Sequence, residues 1–337
     1  KPETDQTLEF GTELRFLKER VTVDFTYYQI SNKDQIVLAP IASSSGYQYS
    51  YINSGEIQNK GIELLLKADL VKTEDFTWGV TVNYTRNRNK VISLAPGIES
   101  LFLSGFTGSG SYAIPGQPFG VIYGGKWLRD GKGRMVIGSD GYPIIDPQQG
   151  VLGNPNPDYL MGIRNTFTYK GLSLSVLVDI RKGGQYWNGT NGALVFFGRA
   201  KLTENRGSDY VFPGVVADGN GNPTDVVNTQ TVKLDQDWYQ GNGGGFGNQA
   251  EDFMEDVTWT RVREVTLSYD LPKSFVSKIH FGGLSVGVFA RNLLLFTNYS
   301  GIDPETNLTG GGNGGFGIDY FNMPNTRSFG GNLRVSF

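Results

Sequence analysis

Strict alternation of apolar and polar residues is the strongest pattern along this chain. In the first segment every second residue from Leu8 to Phe16 is apolar except Thr12, and Glu13 and Arg15 lie on the opposite face. A period of two residues predicts a β-strand with one apolar face. Eight further segments show the same pattern, namely residues 21–28, 61–70, 76–85, 161–169, 172–181, 264–271, 284–291 and 329–337. The alternation therefore predicts nine strands.

The two faces of these predicted strands differ in charge. The apolar face carries no charged residue, and Asn165 is an uncharged polar exception. Most segments approach the roughly 9–11 residues that a tilted strand needs to span a bilayer. In a membrane barrel the apolar face would meet lipid and the charged face the lumen. A soluble β-sandwich also alternates, so this pattern alone leaves both folds open. In a barrel we expect these residues to face the lumen: Glu63, Lys67, Arg164, Asp179 and Arg181.

The lengths of the connections between the predicted strands decide between these two folds. Four connections are short, at residues 17–20, 71–75, 170–171 and 272–283. They alternate with long loops at about 30–60, 86–160, 182–263 and 293–328. Outer-membrane barrels have short periplasmic turns and long extracellular loops, whereas a sandwich has no reason to alternate in this way. We therefore predict an all-β chain that forms part of a large antiparallel transmembrane β-barrel.

Strand number and orientation predict that this barrel needs further strands. Barrels of this kind usually have an even number of strands, and nine are predicted here. The last strand follows a long loop and ends in the periplasm, so the first strand starts on the extracellular side. We therefore expect the remaining strands to precede residue 1.

Composition narrows the class of protein further. Hydrophobic residues make up 38% of the chain, yet no apolar run approaches the 18 or so residues of a membrane helix. The chain contains no cysteine, which excludes disulfides and thiolate metal sites. A net charge of −3 gives no reason to expect a nucleic-acid partner. We expect a multi-pass protein in the outer membrane of a Gram-negative bacterium, in contact with its lipid.

Few residues suggest catalysis or metal binding. His280 is the only histidine and lies in a predicted periplasmic turn, away from the loops, so neither a zinc site nor a catalytic triad can be assembled. We therefore predict no enzymatic activity and no cofactor, with one possible exception. Oxygen ligands recur at alternate positions in a glycine-rich loop, as in a calcium loop, but the distal bidentate Glu is missing, so the pattern fits an Asx-rich turn better. The candidate ligands are Asp218, Asn220, Asn222 and Asp225.

Aromatic residues in the long loops are the candidates for binding. Such side chains could stack on sugar rings, hold peptide side chains or contact a partner protein, and they could equally pack the loops together. The candidates are Tyr186, Trp187, Phe196, Phe197, Trp238, Tyr239 and Phe246.

A set of short sequence blocks runs along essentially the whole chain. It includes Asn59-Lys60-Gly61-Ile62-Glu63-Leu64, Gly153-Asn154-Pro155-Asn156-Pro157 and Asp179-Ile180-Arg181-Lys182-Gly183-Gly184. Further blocks lie at residues 1–4, 9–11, 24–28, 265–272, 290–294, 299–305 and 324–328. In this order the blocks resemble the C-terminal part of SusC/RagA-type TonB-dependent outer-membrane transporters of Bacteroidetes.

The resemblance implies more than the strand pattern can. Barrels of this family have 22 strands and a plugged lumen. The whole of 1–337 would be the C-terminal part of such a barrel, while the plug domain and its TonB box would lie outside this chain. The expected partners are the remaining N-terminal barrel and plug segment, the TonB complex and a SusD-like surface lipoprotein.

The expected function is TonB-dependent import of a nutrient across the outer membrane, with oligosaccharide and peptide both open as substrates. The alternatives are a passive outer-membrane porin and a surface adhesin or secretion-associated barrel. A plug upstream would distinguish an importer from a porin, and an uptake defect would distinguish it from an adhesin.

Overall fold

A single antiparallel sheet of nine long strands is the main feature of the computed structural model, which describes residues 1–41, 43–53, 55–106, 108–309 and 316–337. The strands follow one another in the sheet in chain order, so every strand pairs with its sequence neighbour. The nine predicted strands are thereby confirmed. They are β1 (Thr4–Phe16), β2 (Val21–Lys33), β3 (Gly55–Lys72), β4 (Phe76–Leu94), β5 (Tyr159–Tyr169), β6 (Leu172–Lys182), β7 (Trp259–Asp270), β8 (Gly283–Thr297) and β9 (Ser328–Ser336).

The register of the sheet keeps apolar residues on one face from strand to strand. One row of directly paired residues consists of Val23, Leu66, Val82, Ile163, Val178 and Val262. This face is open rather than packed on a second layer, as Phe10, Val288 and Phe329 show with exposures of 61%, 59% and 72%. A continuous exposed apolar surface of this kind marks a membrane or interaction surface.

The polar exception on the apolar face has a partner. Trp78 donates its indole N–H to Asn165 Oδ1 over 3.2 Å, and its ring stacks on Phe167 at a centroid distance of 5.6 Å. The side-chain amide oxygen of Asn165 therefore has a hydrogen-bond donor. Such pairing removes most of the cost of placing a polar group on an apolar surface.

Strands β2, β3, β4, β7 and β8 extend beyond the loop boundaries that the sequence predicted. The loops between wall strands occupy residues 34–54, 95–158, 183–258 and 298–327. The predicted loops at 30–60, 86–160 and 293–328 therefore start too early, and those at 30–60 and 182–263 end too late. Pairs such as Gln58 with Lys90 and Lys60 with Arg88 continue the ladder with polar residues. Alternation ends where both faces of a strand carry polar residues, although the backbone pairing continues.

Short connections join the strands at the end of the sheet away from the long loops. Lys170 and Gly171 connect β5 to β6 with φ of 46° and 87°, as the type I′ hairpin turn requires. The β7–β8 connection contains helix Lys273–Val276 and a 3-10 turn, Ser277–Ile279. No helix in the described part of the chain is long and apolar enough to cross a membrane.

The long loops fold into small sheets and helices of their own. A four-stranded sheet has the order Gly150–Gly153, Val121–Gly124, Ser109–Ala113, Leu101–Phe106. Two three-stranded sheets join Val136–Ile137, Val215–Ala217 and Pro223–Val227, and Met254–Asp256, Gln185–Asn188 and Ile318–Asp319. Two hairpin-like pairs join Ile36–Pro40 to Tyr49–Asn53 and Asp209–Tyr210 to Val232–Lys233. The helical segments are α1 (Gly189–Phe196), α2 (Gln236–Gln240) and the 3-10 turns Ser43–Ser45, Lys201–Thr203 and Glu251–Phe253.

Candidate functional site

Three of the long loops share one hydrophobic core. Residues from loops 95–158, 183–258 and 298–327 are buried together, although up to about two hundred positions separate them in the sequence. This core lies in the loop assembly rather than in the nine-stranded sheet, and it holds the loops as one packed unit. Its buried members are Ile122, Ile137, Trp187, Val195, Phe212, Val232, Leu234, Tyr239, Ala250, Phe253 and Ile318.

Four of the seven candidate aromatic residues are packed within this assembly. Tyr186, Trp187 and Tyr239 are only 2%, 4% and 7% exposed. The ring of Trp238 stacks on Trp127 at 6.1 Å and on Tyr142 at 5.5 Å. Burial favours the packing interpretation for these four, and the sequence could not distinguish the two interpretations because composition does not reveal which loop covers which.

The other three candidates form an exposed patch, which we call the phenylalanine cluster. Phe196, Phe197 and Phe246 meet edge to face at centroid distances of 5.0–6.1 Å. Phe197 is 62% exposed and Phe246 is 50% exposed. Clustered aromatic rings on a surface are typical of interaction sites.

A small cavity lies beside the phenylalanine cluster, and we call it the aromatic cavity. Its volume is about 130 Å³. The rings of Phe106, Trp187, Phe246 and Tyr320 contribute to its wall, together with Ser109 and glycine backbone. Two of the predicted contact residues, Trp187 and Phe246, therefore lie at the same cavity.

The five predicted lumen residues share the charged face of the sheet. Lys67 pairs with Thr81, which pairs in turn with Arg164, so the register places residues from β3 and β5 in one row. Arg164 donates to Ser175 over 3.0 Å and forms an ion pair with Glu264 at 3.4 Å. The five share a face, and the orientation of that face toward a lumen stays a prediction.

A recess of about 420 Å³ lies toward the loop end of the same face. Asp179 and Arg181 line it together with Arg263 and Glu305. Asp179 pairs with Arg263 at 2.6 Å, and Arg181 donates to the backbone carbonyl of Pro155. Of the predicted lumen residues, Asp179 is therefore paired with a wall side chain and Arg181 is hydrogen-bonded to loop backbone.

An ion-pair network anchors the last long loop to β7, and the sequence analysis did not identify it. Arg261 donates to Asp303 over 2.8 Å, and both side chains are about 95% buried, at 4% and 5% exposure. Arg261 Nε lies 2.9 Å from Glu305 Oε2, close enough for an ion pair although its N–H is not aimed at that oxygen. Arg263 contacts the other oxygen of Glu305 at 2.5 Å.

A β-bulge lies at the second of these arginines. Leu177 and Val178 are adjacent in β6 but pair with Glu264 and Val262, which leaves Arg263 as an extra residue in β7. A bulge places two residues against one on the partner strand and redirects a side chain. Arg261 and Arg263, two residues apart, both reach Glu305, and the bulge brings Glu264 to the same face, where it pairs with Arg164.

A buried carboxylate, Asp319, links helix α1 to the last long loop. Asp319 is fully buried and accepts hydrogen bonds from Tyr299 Oη at 2.6 Å and Thr190 Oγ1 at 2.7 Å. Burial, and then the hydrogen bond to Asp319, raises the pKa of the Tyr299 hydroxyl. The network connects α1 to two segments of the last loop.

The predicted calcium residues have other partners in the structure. Asp218 accepts backbone N–H groups from Asn220 and Asn222 at 2.8 and 2.9 Å, as an Asx-rich turn does. Asp225 contacts Lys132 at 2.8 Å and Arg134 at 2.7 Å, and these hydrogen bonds lower its pKa to about 2. Within the described ranges no group of three or more His, Cys, Asp or Glu could hold a metal ion. The calcium site stays a prediction.

Comparisons with known proteins agree with this geometry. The family described as "TonB dependent receptor-like, beta-barrel" matches residues 1–193, more than half of the chain. The chain is 26% identical to TonB-dependent receptor P3 of Formosa agariphila, with 100% of this chain aligned to 34% of the relative. It is 22% identical to TonB-dependent receptor SusC of Bacteroides thetaiotaomicron, with 90% of the chain and 30% of the relative aligned.

A solved structure shows the same fold. The structure of the RagAB peptide transporter matches 99% of this chain with a TM-score of 0.71 at 21% identity, over 35% of its own chain. The chain thus spans about a third of the length of the relatives it matches. The resemblance to SusC/RagA-type transporters is confirmed, and the chain belongs to the TonB-dependent receptor-like β-barrel family of the outer membrane.

Proposed function

We propose that the full-length protein imports a nutrient, an oligosaccharide or a peptide, across the outer membrane in a TonB-dependent manner. The nine-stranded antiparallel sheet carries this proposal, because its apolar face is open and its connections alternate between turns and long loops. A closed barrel satisfies every backbone group in lipid. The charged face of the wall would line the lumen and contact the plug or the hydrated path.

The loop assembly supports a surface partner. Its internal core presents the phenylalanine cluster on a packed support, where Phe197 and Phe246 are exposed. A SusD-like lipoprotein that covers the extracellular mouth would bury such rings. The RagAB neighbours are named a peptide transporter and peptide importer, and SusC is named a TonB-dependent receptor.

Uptake by whole cells tests the import proposal. A strain that lacks the gene is complemented with the full-length protein or with a variant that lacks its TonB box. Uptake of labelled casein peptides and of labelled starch oligosaccharides is then measured with and without a protonophore. We expect uptake of one class only with the intact protein and a proton-motive force. Uptake that survives both treatments indicates a porin, and no uptake defect in the deletion strain indicates an adhesin or secretion-associated barrel.

Co-purification tests the proposed lipoprotein partner. Phe197→Ser removes one ring of the phenylalanine cluster, and we expect it to reduce recovery of the surface lipoprotein with the full-length barrel. Val226→Ser is the matched control, because Val226 is similarly exposed at 63% but lies on the hairpin Val215–Ala217/Pro223–Val227 rather than in the cluster. Equal recovery with both variants contradicts a partner at the cluster.

A further inference from the structure

A group of cationic side chains lies on the apolar face of the wall, at the loop end of β3 and β4. Arg86, Arg88 and Lys90 follow Tyr84 along β4 at intervals of two residues, so they share its face. The register pairs Arg88 with Lys60 of β3, which places the lysine on the same face. All four cations are exposed, and we call them the basic patch.

The basic patch carries an excess of positive charge. Arg88 pairs with Asp158 at 2.8 Å, and the other three cations form no ion pair in the part of the chain that the structure describes. In the next row Lys33 and Glu56 lie opposite each other and add no net charge. Like charges directly opposite on a sheet are destabilising, as Arg88 and its lysine partner are, so the patch calls for an anionic ligand.

The depth of the basic patch follows from the length of β4. The residues of its apolar face from Phe76 to Tyr84 cover roughly 20 Å of the membrane normal, at about 3.4 Å per residue and a tilt of about 40°. Tyr84 packs on Tyr159 at a centroid distance of 5.3 Å, as an aromatic girdle at the membrane interface would. Arg86 and Arg88 then lie about 5–10 Å beyond Tyr84, at the depth of lipid headgroups.

The cations are confined to one part of the wall. At the loop end of β8 the same face carries Leu294 and Phe296, which are 51% and 59% exposed. Strands β2 and β5 flank β3 and β4, so strands added at either edge of the sheet would not cover the patch. A local group of cations beside open apolar surface favours one bound lipid over a general attraction to the membrane.

We propose that the basic patch binds the phosphate group of a phosphorylated lipid in the outer leaflet, with the acyl chains of that lipid along the apolar residues of β3 and β4. Arginine holds phosphate oxygens through two N–H groups, and lysine adds a compact positive charge. The long loops lie at this end of the strands, which assigns the lipid to the outer leaflet. The inference concerns the lipid around the barrel and does not depend on the imported nutrient.

Binding of lipid A to the purified full-length protein in detergent tests the proposal. Fluorescently labelled lipid A and its dephosphorylated form are titrated, and anisotropy follows binding. We expect the phosphorylated form to bind about tenfold more tightly. Its binding should weaken as sodium chloride rises from about 0.05 to 0.5 M, because salt screens exposed charges. Equal binding of the two forms, or binding that salt does not change, overturns the proposal.

Matched variants locate the site. Arg86→Gln/Lys90→Gln removes two charges of the patch and should weaken lipid A binding about tenfold. Arg86→Lys/Lys90→Arg keeps both charges and should bind within about twofold of the wild type. The control is Lys72→Gln/Lys170→Gln at the other end of the wall, where each lysine already pairs with an aspartate. It should also change binding less than about twofold. Equal weakening by the patch variant and the control overturns the proposal.

A further outcome distinguishes a lipid from a protein at the basic patch. Arg86→Gln/Lys90→Gln is tested for recovery of the surface lipoprotein with the full-length barrel, and we expect no change. Reduced recovery with unchanged lipid A binding identifies a protein interface and overturns the proposal. Nutrient uptake is not part of this test, so a failure of the import proposal leaves the lipid site standing, and the reverse also holds.

Discussion

The wall of nine strands and the loop assembly above it are stabilised in different ways. Among the described residues the wall strands form no buried cluster of their own, since Val91 packs with loop residues. Leucines on the apolar face, such as Leu333, are as much as 67% exposed. The loop assembly contains the main core cluster, in which Leu234 is 5% exposed. In lipid the wall would depend on hydrogen bonds between its strands and on contact of its apolar face with lipid tails, whereas the loops depend on packing of buried side chains. The part of the chain that looks irregular in sequence is therefore the part that resembles a globular domain.

The largest effect should come from the buried ion pair that ties the last loop to the wall. Asp303→Ala removes the closest partner of the buried Arg261 and leaves it only Glu305, which should cost up to about 3–5 kcal/mol. We expect faster hydrogen exchange in residues 298–327 with β1–β6 unchanged. The control is Asp158→Ala, whose exposed pair with Arg88 should contribute at most about 1 kcal/mol. Similar exchange in both variants would show that the pair does not anchor the loop.

A matched leucine pair tests the comparison between wall and loops directly. Leu234→Ala opens a void in the loop core and should destabilise the loop assembly by about 2–5 kcal/mol. Leu333→Ala removes the same atoms from the outer face, where lipid tails are as apolar as the side chain and fill the space. We expect its effect to be under ~1 kcal/mol. Hydrogen exchange of the loop amides measures the loss of stability in Leu234→Ala, and thermal unfolding in bilayers measures that in Leu333→Ala. Equal losses would contradict the absence of a core in the wall.

Tyr299 provides the third test, because its hydroxyl is part of the buried network around Asp319. Tyr299→Phe leaves that carboxylate with one donor fewer and should cost about 1–3 kcal/mol of loop stability. The raised pKa of Tyr299 means that the folded loops hold its proton more tightly than the unfolded chain, whose tyrosines titrate near ~10. Loop stability is therefore complete below about pH 10 and falls as the pH rises above it. Hydrogen exchange at rising pH should show this alkaline loss in the wild type and less of it in the variant. The same alkaline loss in both would exclude Tyr299 as its cause.

The wall could be predicted from sequence because its contacts obey a local rule. Each strand pairs with its sequence neighbour, so a period of two residues and the lengths of the connections specify the sheet. The rule failed at the strand ends next to the long loops, as at Lys60 and Arg88, because alternation ends there while pairing continues.

The loop core could not be predicted in the same way. Trp127 stacks on Trp238, and Thr190 binds Asp319, across more than a hundred residues in each case. No periodicity records such contacts, so the sequence identified the candidate aromatic residues but not which of them are buried. The family blocks around Glu305 indicated important positions without revealing the ion pairs that they form.

The smallest effect concerns the exposed carboxylate of Asp225 in the loop assembly. Hydrogen bonds from Lys132 and Arg134 lower the pKa of Asp225 to about 2, below the value of ~3.9 in an unfolded chain. Their stabilising effect is therefore complete above about pH 4 and is lost as the pH falls toward 2. Because the chain has no cysteine, a spin label on Gly219→Cys reports the mobility of the neighbouring turn in this segment.

We expect the label to become more mobile between about pH 4 and 2, and Asp225→Asn to show the mobile spectrum already at neutral pH. Millimolar calcium should leave the wild-type spectrum unchanged, because Asp225 is paired with two cations and Asp218 with backbone N–H groups. A calcium-dependent loss of mobility that Asp225→Asn abolishes would instead establish the calcium site predicted from the sequence. That result would add a metal to the packing, ion pairs and buried hydrogen bonds that hold the loops.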